Sequence, residues 1–100
     1  MKRKIVVLCG PMKFLRQMQE TAERLALEKG FVIFAPIPHV LNRELTADEK
    51  ALLSELHRSK IDLADSVYIV NPGGYIGESV RSEIEYARSL GKEILYLEPI

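Results

Sequence analysis

Glu83 is the residue whose type and position most strongly suggest chemistry in this 100-residue sequence. Successive helical residues lie about 100° apart, so over residues 78–90 Val80, Ile84, Ala87 and Leu90 define one apolar arc. Glu83 falls inside that arc, between the directions of Leu90 and Ala87, whereas Glu85 and Arg88 point toward solvent. A carboxylate turned toward a core is costly to desolvate unless it is paired, hydrogen-bonded or open to a ligand cavity. One explanation is a buried ion pair with a base such as Arg16 or Lys60. The other is a cavity-facing acid that acts on a ligand. It is preferred because Glu83 lies near the start of its helix, facing the expected binding edge.

Two loops could hold that ligand. Cys9-Gly10-Pro11-Met12-Lys13 follows the first expected strand, and Asn71-Pro72-Gly73-Gly74-Tyr75-Ile76-Gly77-Glu78-Ser79 follows the third. In open α/β sheets, ligands bind outside the carboxyl ends of strands, where helix N-termini offer free amides. Glycines let backbone approach an anion, so Gly10, Pro11, Met12, Asn71, Gly73, Gly74 and Gly77 are candidate binding positions. Lys13, Ser79 and Arg81 could add donors to a phosphate. Neither loop has the Gly-Lys-Ser/Thr of a phosphate-cradling loop or the Gly-x-Gly-x-x-Gly of a dinucleotide site. The plainer reading is that these glycines serve tight strand-to-helix turns.

His57 sits one turn from both Leu53 and Ile61, at the margin of the second helix's buried side. A neutral imidazole there could donate to a leaving base or position a ligand; the alternative is a satisfied structural histidine. His39, in a loop, is a weaker candidate. Cys9 lies inside an apolar strand, where a buried inert thiol is the expectation. The histidines share no metal-ligand spacing with Cys9 or with each other, so neither metal nor cofactor is assigned. Asp62 and Asp65 are read as turn and capping residues.

The elements that must position these groups alternate between apolar runs of five or so residues and longer helical stretches, the pattern of β-α units around a parallel sheet. Strands are expected at 5–9, 31–35, 66–71 and 93–97, all but the last apolar on nearly every residue. The first helix, about 13–29, carries Phe14, Leu15, Met18, Ala22 and Leu25 as a core stripe and stops at Gly30. Thr46-Ala47-Asp48-Glu49 is a capping box that opens the second helix. Between them, loop 36–45 is long enough to act as a lid. The third helix spans about 78–90. The expected architecture is a single α/β domain over residues 1–100, a Rossmann-like (flavodoxin-like) three-layer sandwich with a four-stranded, mostly parallel sheet and three main helices.

With 14 basic and 14 acidic residues the chain has no net field, which argues against nucleic acid as a partner. No apolar stretch approaches the roughly 20 residues that span a bilayer, so a soluble, cytoplasmic protein with no membrane partner is expected. The opening Met1-Lys2-Arg3-Lys4 and its short apolar run are read as the start of a strand, not a signal peptide. An exposed sheet edge in so short a chain leads us to expect a homodimer or higher homo-oligomer.

Taken together, the residues resemble the nucleoside 2-deoxyribosyltransferase superfamily and the related deoxynucleoside-monophosphate N-glycosidases. The resemblance spans most of the chain. It is carried by Leu8-Cys9-Gly10-Pro11-Met12, by Ile61-Asp62-Leu63-Ala64-Asp65, and by Gly77 followed by Glu83-Ile84-Glu85-Tyr86-Ala87 and Gly91-Lys92. It implies that Glu83 attacks the anomeric carbon of a nucleoside or nucleotide and forms a glycosyl-enzyme that water or a second base resolves. Three departures accompany it. Val7 stands where the family usually has a tyrosine that orients the nucleophile, and His57 stands where it has an aspartate. The sequence runs only to Pro99-Ile100, so it is expected to lack the C-terminal segment that completes a neighbouring subunit's site in many relatives. The alternative reading is a nucleotide-binding or sensing module that keeps the pocket without the chemistry.

Overall fold

The computed structural model describes residues 2–100; Met1, the first residue of the basic opening stretch, lies outside the described residues. Strand β1 (Ile5–Cys9) is buried from Val6 onward because it lies inside the sheet. Its neighbours are β2 (Val32–Phe34) on one side and β3 (Ser66–Ile69) on the other, with β4 (Glu93–Tyr96) beyond β3. The order β2-β1-β3-β4 is parallel throughout, with Val6 paired to Ile33 and Ser66, and Val67 paired to Ile94. The chain passes outward from β1 to β2 and then crosses back to β3. This reversal leaves a crevice at the carboxyl ends of β1 and β3, the usual place for a ligand in such sheets.

Period-2 alternation divides the core between the two faces. Leu8 packs with Met18, Leu25 and Val70 beneath helix α1 (Leu15–Lys29). Val7, Cys9, Val67 and Ile69 face the other way, against Ile61 of α2 (Ala47–Leu63) and Val80, Ile84 and Ala87 of α3 (Glu78–Ser89). Each such fully buried aliphatic side chain contributes about 1.5–3 kcal/mol relative to exposure. The result is the three-layer sandwich expected from the sequence, with one helix on one face of the sheet and two on the other.

The boundaries differ in instructive ways. The expected strand at 31–35 contracts to Val32–Phe34, and Val32 is exposed, because β2 is an edge strand covered on fewer sides than β1 or β3. The first helical stretch divides into a 3-10 turn, Met12–Phe14, followed by α1, so Lys13 belongs to the turn. α1 ends at Gly30, whose left-handed φ of 68° a side chain rarely adopts. α2 opens with the expected capping box: Thr46 Oγ1 accepts from the Glu49 amide, and Glu49 Oε1 accepts from the Thr46 amide. Leu90, expected on the buried arc of α3, is exposed because the helix stops at Ser89 and Leu90 serves as its C-cap.

Candidate functional site

Glu83 lies in the second turn of α3, on the side that faces β1 and α2. Its side chain is only 17% exposed, and it forms part of the wall of a cavity of about 480 Å³ at the carboxyl edge of the sheet. Neither base proposed as an ion-pair partner reaches it. Arg16 pairs with Glu20 on α1, across the sheet, and Lys60 Nζ donates to the Ala35 carbonyl at 2.7 Å. Burial therefore dominates and pushes the Glu83 carboxyl above its ordinary range; the Cys9 thiol and the positive charge of Arg58 offset this only in part. Arg58 itself is turned toward Ser82 and the Tyr86 ring.

His57 meets Glu83 from α2. Its Nε2 is 3.8 Å from Glu83 Oε1 and 3.3 Å from Cys9 Sγ. Desolvation, aided by the charge of Lys60, lowers the imidazole to about 4, so the ring is neutral at pH 7. Burial and the neighbouring Glu83 charge push the Cys9 thiol far up, so it keeps its hydrogen. Cys9 Sγ and His57 Nε2 are within hydrogen-bonding distance, and the imidazole tautomer decides which of the two donates. His57 Nδ1 is buried with no hydrogen-bond partner among the described residues. Cys9, read from the sequence as a buried inert thiol, is fully buried, and its sulfur lies 3.3 Å from His57 Nε2. Although Cys9 and His57 share no metal-ligand spacing in sequence, the fold brings ligand atoms of Cys9, His57 and Glu83 within 4.8 Å of one another.

The rest of the cavity comes from four segments. Gly10, Pro11 and Met12 contribute from the loop after β1, and Tyr75, Gly77 and Ser79 from the segment leading into α3. Gly10 is fixed by packing, since a Cβ would meet the Val70 carbonyl oxygen at 3.1 Å and Met18 Sδ at 3.2 Å. No side chain caps the start of α3, so its first amides remain free to bind a negatively charged group. α2 supplies Lys50, Leu53, Ser54, His57 and Lys60, and loop 36–45 supplies only Pro36 and Ile37. The rest of that loop does not roof the cavity, and His39 is exposed outside it.

Five candidate binding residues lie elsewhere. Lys13 Nζ sits 3.6 Å from the centroid of the Tyr75 ring. Asn71 is buried, with both side-chain ends bonded to the Glu98 backbone, so it clamps the strand ends and cannot reach a ligand. Gly73 and Gly74 have φ of 66° and 79° and make the turn after Asn71. Arg81 is exposed on the solvent side of α3. Asp65, read as a turn residue, accepts from the Ile5 amide at 2.8 Å, and Asp62 accepts from the Tyr86 hydroxyl.

Several wall residues escaped the reading of the sequence. Lys50, Leu53 and Ser54 lie at i, i+3 and i+4, on the same helix face as the already singled-out His57 at i+7, so that stripe was available as a signal. Val7, in the place of the tyrosine the resemblance anticipates, is sealed in the apolar core and offers Glu83 no hydrogen bond. Among the described residues, no helix is long and apolar enough to cross a membrane.

No protein-family model matches the chain, and no curated protein matches it. The backbone is similar to that of a solved 2-deoxyribosyltransferase from the psychrotolerant bacterium Bacillus psychrosaccharolyticus, a biocatalyst for the synthesis of antiviral and antitumoral nucleosides. The TM-score is 0.69 with 18% sequence identity, over 96% of this chain and 76% of that one. The shared feature at this identity is the fold.

Proposed function

We propose that the chain binds a nucleoside or nucleotide in this cavity and cleaves or exchanges its N-glycosidic bond, with Glu83 as nucleophile. The observation that carries the reading is the Glu83 carboxylate, mostly buried and, among the described residues, in no ion pair with a lysine or arginine, on the wall of a cavity of about 480 Å³. That volume is within the usual range for small-molecule sites. The similarity of fold to a 2-deoxyribosyltransferase supports the substrate class.

In the proposed step, a Glu83 oxygen bonds to the anomeric carbon while the carbon–nitrogen bond breaks, and the base leaves with the bonding pair and takes up a proton from solvent. Water or a second base then attacks the same carbon, the carbon–oxygen bond to Glu83 breaks to free the carboxylate, and the O–H or N–H proton of the attacking molecule is released to solvent. The apolar wall strengthens the attraction between the carboxylate and the developing oxocarbenium ion. Neutral His57, its Nε2 3.8 Å from Glu83 Oε1, borders the space where the base departs.

Incubation with a panel of nucleosides and nucleotides, followed by chromatography for free base, tests this. The wild type is expected to release base from at least one compound, and Glu83→Ala to lose activity on the order of 10³-fold or more. No release from any compound, with Glu83→Ala indistinguishable, would retire the proposal. A second reading, a binding or sensing module without turnover, is favoured by the burial of Val7, which leaves Glu83 without the expected tyrosine hydroxyl. Thermal stabilisation by a nucleotide with no base released would select it.

A further inference from the structure

Cys9, His57 and Glu83 come from three separate elements, β1, α2 and α3, and bring a sulfur, a nitrogen and an oxygen to one point. Their separations are 3.3 Å for Sγ to Nε2 and 3.8 Å for Nε2 to Oε1, and every pair lies within 4.8 Å. A tetrahedral zinc ion with bonds of about 2.0–2.3 Å sets neighbouring ligand atoms about 3.3–3.6 Å apart. The Sγ–Nε2 and Nε2–Oε1 separations lie within about half an ångström of that spacing.

We infer that Cys9 Sγ, His57 Nε2 and Glu83 form a three-ligand site for zinc or a similar divalent cation, with its remaining coordination position open to the cavity. The donor types support this class of ion: thiolate and imidazole select borderline-soft metals, whereas magnesium and calcium require oxygen ligands. The placement supports an open site. His57 and Glu83 line the cavity while Cys9 is fully buried behind them, so an ion enters from the cavity side and meets the sulfur last. Three protein ligands facing a cavity are the arrangement of exchangeable zinc sites, whereas structural sites close with four. Lys60 is committed to the Ala35 carbonyl and Arg58 to Ser82 and the Tyr86 ring.

On binding, the Cys9 sulfur–hydrogen bond breaks and the sulfur–metal bond forms, with the proton released to solvent; the ion's charge and oxidation state do not change. The inference rests on the three side chains and not on the proposed glycosidic chemistry. Where both hold, a carboxylate bound to zinc cannot attack carbon, so the metal-loaded protein is the resting form and zinc is an inhibitor.

The test uses the full chain, cleared of metal with a chelator and titrated with Co²⁺ and then Zn²⁺. One equivalent of Co²⁺ is expected to give a thiolate-to-cobalt charge-transfer band and the intense visible bands of a tetrahedral ion, both erased by Zn²⁺. Loss of even a hydrogen-bond partner behind a ligand weakens metal binding about 10–100-fold, so removing the direct sulfur ligand in Cys9→Ser is expected to weaken Zn²⁺ binding by on the order of 100-fold or more and to remove the charge-transfer band. His39→Ala should change neither. If Cys9→Ser fails to fold, X-ray absorption on the wild-type zinc complex decides, with one sulfur expected at about 2.3 Å. A shell of only nitrogen and oxygen, or a cobalt complex without the charge-transfer band, would overturn the site.

Discussion

His57 Nε2 stands 3.8 Å from Glu83 Oε1, which brings together two titratable side chains from facing helices, both largely withdrawn from water. Burial acts on each in the same sense, toward the neutral form. The carboxyl moves up and the imidazole moves down to about 4. The predictions below follow from that pair and from the cavity it borders.

If Glu83 attacks as a carboxylate, base release should climb as pH rises through the elevated ionisation of this group. The acid limb of kcat/KM against pH should therefore lie above the ordinary carboxylate value of 4.5. A profile already flat at pH 5 would show that the group is not Glu83.

Glu83→Gln should stabilise the fold at pH 7 by about 0.5–2 kcal/mol, the usual gain when a functional site is relieved of an unfavourable group. A carboxyl whose folded-state pKa is raised contributes stability that is complete below its unfolded value and lost as pH rises through the folded one. The gain should accordingly shrink as pH is lowered toward 4.5. Urea denaturation of both proteins across this range checks it, and a difference independent of pH would contradict it.

His57 has the opposite sign. With its folded-state value near 4 against 6.5 ordinarily, its contribution to stability is present above pH 6.5 and lost as pH falls toward 4. Its imidazole resonances should show no titration between pH 7 and 5. Lys60→Met removes the second cause of the depression and should raise that midpoint. It should also loosen the wall at Pro36 and Ile37, since the bond to Ala35 is lost.

Asn71→Ala should cost about 1–3 kcal/mol, because the Glu98 amide and carbonyl lose their partner. Ligand affinity should be unchanged, since Asn71 does not line the cavity. A large loss of affinity at unchanged stability would restore it as a binding residue.

How far the sequence could be read depended on the range of the information. β1, the capping box of α2 and the inward direction of Glu83 were legible because local periodicity and capping chemistry fix them. The meeting of Cys9 with His57 was not, since 48 residues separate them and only the packing of α2 across β1 brings them together. Asn71 was read as a ligand contact from its place in a glycine-rich loop, and Arg81 as a donor to a phosphate. One of them faces a backbone clamp and the other faces solvent, and no local pattern reports that difference.

The central claim is that the Glu83 carboxylate becomes bonded to the sugar. It is tested most directly by quenching the reaction with a slowly resolved fluorinated nucleoside analogue and mapping the modified peptide by mass spectrometry. The account predicts a glycosyl mass on Glu83 in the wild type and none in Glu83→Gln. Base released at the wild-type rate by Glu83→Gln, or a glycosyl mass found on another residue, would contradict it.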